Sequence, residues 1–258
     1  MRILISALLL VPAAALASSA FDGTWKGRVD SFKVTGKPDT FVIAAGTYTC
    51  TSCIPEIKIK ADGADHAVTG HAYYDSVAVK IVDATTVERT NKMAGKVTGS
   101  ASVTVSADGS TLAGKFTDYT GEKPGTFTYT EKRVAAAPAG AHATSGSWQQ
   151  NKLNDASDAV NIVTYEMTPD HFSMHANGQS YNAKFDGKEY PVKGDPGHTV
   201  VTLKRIDDNT VVETDRRQGK ITDEIRLAAS KDGKTVEVTD QDPVHGQTST
   251  FTLEKQRL

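Results

Sequence analysis

Two cysteines, the only ones in the chain, stand in Cys50-Thr51-Ser52-Cys53. This spacing suits a structural disulfide, a redox couple with a lowered thiol pKa, or half of a zinc site. Redox pairs belong with helix starts in βαβ patterns, but Tyr48-Thr49 before the pair and Ile54-Pro55 after it read as strand and turn. Zinc needs two more ligands, and no second Cys-x-x-Cys exists. A Cys50–Cys53 staple is the expectation, with redox and metal roles as the alternatives and no metal site assigned. The densest titratable group runs from His66 through His71, Tyr73 and Tyr74 to Asp75. A histidine with a carboxylate to orient it can move protons near neutral pH; the plainer reading is a polar loop. Asp215-Arg216-Arg217 places two guanidinium groups where a hairpin end is expected, able to clamp a carboxylate or phosphate or simply solvated. Tyr190, which aligns with His66, joins Arg216 and Arg217 as a candidate binding residue. His171 and His175 are four apart, but the flanking Pro169 and Asn177-Gly178 make the segment a hairpin, in which they sit too far apart to chelate easily. There is no phosphate loop, nucleophile elbow or His-Glu-x-x-His, and no cofactor is expected.

The elements that hold these residues come in two copies. At a constant offset of 124, ten of the 28 positions in residues 85–112 are identical to those in 209–236, without a gap. Such self-similarity marks a duplication. Within each copy the side chains alternate: Val77, Val79 and Ile81; Ala101, Val103 and Val105; then Val201 and Leu203, Ile225 and Leu227. Period two is the signature of a strand with one buried face. Asp-Gly at 62–63, 108–109, 186–187 and 232–233, and Asn-Gly at 177–178, supply hairpin turns. No ten-residue stretch carries a helical stripe. A meander of short antiparallel strands hides its edges best by closing on itself. The expected fold is therefore all-β, with two tandem antiparallel meander barrels of about eight strands each; a sandwich is the alternative.

The expected division is residues 1–20 signal peptide, 21–134 first barrel, 135–144 an Ala/Pro/Gly linker, and 145–258 second barrel. Arg2, the apolar run Ile3–Leu10 and Ala15-Leu16-Ala17 form the basic, apolar and small-x-small pattern of an export signal, cleaved after Ala17 or Ala20. The apolar run is too short to span a bilayer, so no membrane span is expected. The 258-residue chain has a net charge of −2, without the basic footprint that nucleic acid requires. From 21 to 133 there are 14 basic and 13 acidic residues; from 145 onward there are 14 and 18, so the second copy is the more acidic.

Each copy opens with Gly-x-Trp, at Gly23-Thr24-Trp25 and Gly146-Ser147-Trp148, and ends in a strand bearing Lys and Arg. This pattern resembles the lipocalin and fatty-acid-binding (calycin) signature, in which the Trp closes the barrel base under a basic side chain. The resemblance implies lipocalin-like barrels, with Trp25 beside Lys132 or Arg133 and Trp148 beside Lys255 or Arg257. The whole chain also resembles an uncharacterised bacterial exported family with two such halves, on the Tyr-Thr-Cys-x-x-Cys stretch at Tyr48–Cys53 and Ala-Gly-Ala-His at Ala139–His142. That implies a periplasmic or secreted double barrel and carries no activity. Three functions follow as expectations: a module binding a small, partly apolar ligand in a barrel cup; a periplasmic isomerase, lyase or hydrolase using His66, His71, Tyr73, Tyr74 or Asp75 at the mouth of the first barrel; or a structural protein with a filled interior. The interior volumes discriminate among them.

Overall fold

The alternating segments form strands, and the Gly-bearing turns between them carry the left-handed backbone that tight hairpins need: Asn177 and Gly178 both have positive φ, as do Gly63, Gly109, Gly187 and Gly233. The structure is a computed structural model and describes residues 19–257. The expected signal segment therefore lies outside the described residues, apart from Ser19 and Ala20. The strands of the first copy are β1 (Gly23–Gly27), β2 (Lys33–Gly36), β3 (Asp39–Ala44), β4 (Thr47–Cys50), β5 (Ile57–Lys60), β6 (His66–Ala67), β7 (Ser76–Ile81), β8 (Thr86–Met93), β9 (Lys96–Val105), β10 (Thr111–Asp118) and β11 (Gly125–Ala135). The second copy follows with β12 (Gly146–Ala156), β13 (Ile162–Met167), β14 (His171–Ala176), β15 (Gln179–Lys184), β16 (Tyr190–Pro191), β17 (Val200–Asp207), β18 (Thr210–Arg217), β19 (Lys220–Ala229), β20 (Thr235–Asp242) and β21 (Gln247–Lys255). No helix among the described residues is long and apolar enough to cross a membrane.

Two nearly closed antiparallel barrels result, of ten and eleven strands rather than about eight. The first runs β5-β4-β3-β12-β11-β10-β9-β8-β7-β6, and an Asp62–Lys80 bridge beyond β5 draws its two ends together. The second runs β15-β14-β13-β1-β21-β20-β19-β18-β17-β16, with β2 also on β21 and a Ser180–Lys193 bridge across the gap.

The barrels do not follow the halves of the sequence, which corrects the expected division. Strand β1 lies between β13 and β21 of the second barrel. Its counterpart β12 lies between β11 and β3 of the first. Residues 135–144 are thus no linker between barrels but the loop of the β11–β12 hairpin, pinned by His142 N–H to the Ile43 carbonyl (2.8 Å) and by fully buried Thr144 and Ser145. The real crossings are at Lys37-Pro38 and Ser157–Asn161. Proline fixes φ near −65° and keeps the preceding residue extended. Lys37-Pro38 therefore cannot form the positive-φ two-residue turn that would fold β3 back on β2. The chain runs on from one sheet into the other.

The exchange re-pairs the tryptophans as well. Both rings are fully buried, and each indole N–H donates four residues back, Trp25 to Phe21 O (2.8 Å) and Trp148 to Thr144 O (2.9 Å). Lys255, not Lys132 or Arg133, lies over Trp25, with Nζ 5.4 Å from the ring. Arg133, not Lys255 or Arg257, lies 4.1 Å over Trp148 and donates to the carbonyls of Gly109 (2.5 Å), Ala143 (2.7 Å) and Ser145. Each base is still closed by a Trp under a cation from a last strand, but in both barrels the two come from different copies, across one hairpin loop in the first barrel and from near opposite ends of the chain in the second.

Cys50 and Cys53 form the expected disulfide, at the turn that follows β4. Cys50 is buried against the core of the first barrel. Closing so short a loop constrains the unfolded chain only a little, so Cys50→Ser with Cys53→Ser is expected to cost about 2 kcal/mol or less. Thermal melting checks this; loss of folding would mean that the bridge sets the path of the 51–55 turn.

Candidate functional site

The two interiors differ because one copy carries the smaller side chains. Cys50, Ile57, Val79, Ala101, Val103 and Gly114 line the first barrel where the second has Met174, Tyr181, Leu203, Ile225, Leu227 and Val238. The second barrel packs these around Phe21, Trp25, Tyr165 and Phe172 and keeps a cavity of about 340 Å³ beneath the Asp118–Gly121 loop of the first copy. The first opens into a cavity of about 920 Å³ whose outer part is lined by second-copy residues around Gly197, Arg217, Asp223 and His245. Gly114 has a special part in it: a Cβ there would collide with the Tyr129 ring, which lies across the glycine on β10.

The cup has apolar and aromatic walls and a small charged set. Asp39 on β3, Arg89 on β8 and Glu131 on β11 project inward among Tyr48, Phe41 and Tyr129. Glu131 is only 7% exposed. Burial, and then the negative Asp39, push its carboxyl up to about 7. Asp39 is open to the water of the cup, yet burial by the surrounding walls still raises its pKa, against the pull of His245 and Arg89. Burial likewise raises the Tyr48 and Tyr129 hydroxyls. Arg89 is engaged: Nε donates to Asn91 Oδ1 (2.9 Å), and the guanidinium lies 5.5 Å from the centre of the Tyr74 ring and near the Tyr48 hydroxyl. Among the described residues neither the Asp39 nor the Glu131 carboxyl makes a hydrogen bond or ion pair.

The mouth is built by both copies. His71 stacks on Tyr74 at 4.5 Å, and burial and Arg89 lower its pKa. Tyr73 lies under Arg217 (5.1 Å), packed against Gly197, and burial pushes its hydroxyl up to about 12. Arg217 in turn donates to Thr199 Oγ1 (2.8 Å) and lies 3.9 Å from Asp223. His245 holds Asp242 at 2.6 Å, a contact that raises the imidazole pKa. So His71, Tyr73, Tyr74 and Arg217, chosen from sequence, meet at one opening. The others lie elsewhere. His66 pairs with Asp62 on the outside (2.8 Å), and Asp75 accepts from Ala94 N–H (2.8 Å) to hold a turn. Arg216 donates to Thr202 (3.1 Å) in a shallow outer groove. Tyr190 packs on the second barrel and donates to Asp186 (3.1 Å). His171 pairs with Asp170 at 2.9 Å. No group of three potential ligands among the described residues is arranged to hold a metal.

Asp39, Arg89 and Glu131 were missed by sequence reasoning, although a signal for Arg89 and Glu131 exists. Val87 and Arg89 share a face of β8, and Phe127, Tyr129 and Glu131 share one of β11. A charge in step with the apolar parity of a barrel strand points inward. The second copy shows the same signal in Val211, Glu213 and Asp215 and in Val236, Val238 and Asp240. Comparison with protein-family models, curated proteins and solved structures finds no match for this chain.

Proposed function

We propose that the protein is an exported, lipocalin-like binding protein that holds one small, partly apolar ligand in the cup of the first barrel. The observation that carries this reading is the cavity of about 920 Å³, open in one copy and largely filled in the other. Ligand pockets of roughly 300–1,000 Å³ with apolar walls and a few placed polar groups are typical of small-molecule sites. Export is supported by the signal-like first twenty residues and by the disulfide, which suits an oxidising compartment. Of the two cleavage points, the one after Ala17 keeps Ser19, whose N–H bonds Asp22 (2.8 Å), and Ala20, which packs on the second core. The calycin likeness is supported by a buried Trp under a basic side chain at both bases.

Native mass spectrometry of protein purified from the periplasm of its own cell is expected to show a bound small molecule. Ala101→Ile with Val103→Leu, the residues that the second copy carries, fills the cup and is expected to remove it. Protein that is ligand-free, and that takes up no apolar probe, would overturn the reading. One observation favours catalysis as the second reading: burial in the cup wall pushes the Glu131 carboxyl up to about 7, where a general acid–base works. A bound molecule converted on incubation, with conversion lost in Glu131→Gln, would establish the enzyme; a molecule recovered unchanged would establish the binder.

A further inference from the structure

We propose that the ligand of the first barrel is an organic cation, an amine-type group on an apolar or aromatic body, held by the Asp39 and Glu131 carboxylates. The inference rests on the binding role of this cup and adds the sign of charge.

Glu131 is more than nine-tenths buried as a residue, and a carboxyl on so buried a residue normally has a partner, because leaving it without one costs free energy. Glu131 has none in the protein and faces the cavity. Asp39 faces the same space and is equally without a partner. The two raise each other's cost as like charges, and a cation between them removes that repulsion while supplying the missing donors. Arg89, the cation that projects among the cup walls, is committed to Asn91 and to the face of Tyr74, and among the described residues it lies beyond ion-pair distance of both carboxyls. The two carboxyls thus outnumber it. Tyr48, Tyr129 and Phe41 line the same cavity, and aromatic ring faces also attract a cation. At the mouth Asp223 and Asp242 are paired with Arg217 and His245, and Lys220 adds a positive charge, so the preference for a cation comes from the cup itself and not from the approach.

Binding a cation favours the ionised form of Glu131, so affinity rises with pH through about 7 and then levels off. The groups facing Glu131 are Asp39 on β3, Tyr48 on β4, Arg89 on β8 and Tyr129 on its own strand, with His71, His245, Arg217, Lys220, Asp223 and Asp242 at the mouth. Protonation of either histidine below neutrality repels the ligand too and acts in the same direction.

The test is fluorescence titration of the whole protein with three probes of related body: dansylcadaverine, which carries a free amine; its N-acetyl derivative, which is neutral; and anilinonaphthalene sulfonate, an anion. At pH 8 the amine is expected to bind at least about tenfold more tightly than the other two, the scale of one charged hydrogen bond. Its affinity should fall by about tenfold in Glu131→Gln, with most of its pH dependence lost, and by a similar factor in Asp39→Asn. The second variant sits at an accessible position and keeps the test open should the first fail to fold. The N-acetyl probe should lose much less than the amine in either variant. Equal affinity for amine and N-acetyl probe, or tightest binding of the anion with loss in Arg89→Gln, would overturn the cation while leaving the binding cup intact. Failure of all three probes to bind would overturn both.

Discussion

Trp25→Ala is expected to unfold the second barrel and leave the first folded, although Trp25 opens the first copy of the repeat. The ring is fully buried, its N–H is bonded to Phe21, and β1 is hydrogen-bonded on both sides, to β13 and β21. Truncating such a side chain costs about 3–5 kcal/mol, a large share of the stability of one domain. Loosening β1 also uncovers two strand edges. The first barrel uses none of this, since residues 39–156 form it without a break and Trp148 closes its base. Trp148 is then the one tryptophan left and reports on the first barrel alone. In a guanidinium titration its fluorescence midpoint should stay near the wild-type value, while far-UV circular dichroism shows an earlier transition. Trp148→Ala should do the reverse, with Trp25 reporting. A fluorescence midpoint for Trp148 that moves with the circular dichroism would mean that the two barrels unfold as one unit.

Raising the pH from 5 to 9 is expected to weaken the second barrel, and Asp215→Asn to relieve most of that loss. Glu213 lies 7% exposed inside the barrel and accepts from the Tyr181 hydroxyl at 2.5 Å. Asp215 stands beside it, with Asp240 on β20 also facing inward, and one carboxylate oxygen of each is buried without a hydrogen-bond partner. Burial, and then the neighbouring Glu213, push Asp215 up to about 9; burial and Asp223 push Asp240 up to about 7. A carboxyl raised above its unfolded value of about 4 holds its proton more tightly when folded. The folded chain therefore binds more protons than the unfolded one between these limits, and stability falls as the pH rises. The contribution is complete below about pH 4 and is lost as the pH passes about 7 for Asp240 and about 9 for Asp215. Asparagine keeps a donor for Glu213 and removes the titration. At pH 9 Asp215→Asn should stabilise on the order of 1–3 kcal/mol, the cost of one unsatisfied buried group, and at pH 5 it should change little. Thermal melts of both proteins across that range decide the matter; parallel curves would sink the assignment.

The alternation of side chains and the Asp-Gly and Asn-Gly turns were enough to predict antiparallel barrels in two copies, because a period of two and a positive-φ turn are local properties. The Cys50–Cys53 bridge was legible for the same reason, since its partners are three residues apart. Barrel membership was not. In a duplicated chain Gly23–Gly27 and Gly146–Ala156 suit the same slot, between a third-strand and a last-strand partner, and either can occupy either copy. Pairing energy hardly separates the two arrangements; the stiff Lys37-Pro38 crossing and the ten-residue loop from 136 to 145 do, and their effect appears only when the chain is closed in space. The cup shows the same division. Inward placement of Arg89 and Glu131 could be read from strand parity, and the acidity of the second copy from composition. That His71, Tyr73 and Tyr74 meet Arg217, whereas His66 and Asp75 turn away, depends on two barrels packing mouth to loop across more than a hundred residues of chain. Tertiary structure alone decides that contact, and with it the opening through which a ligand would enter.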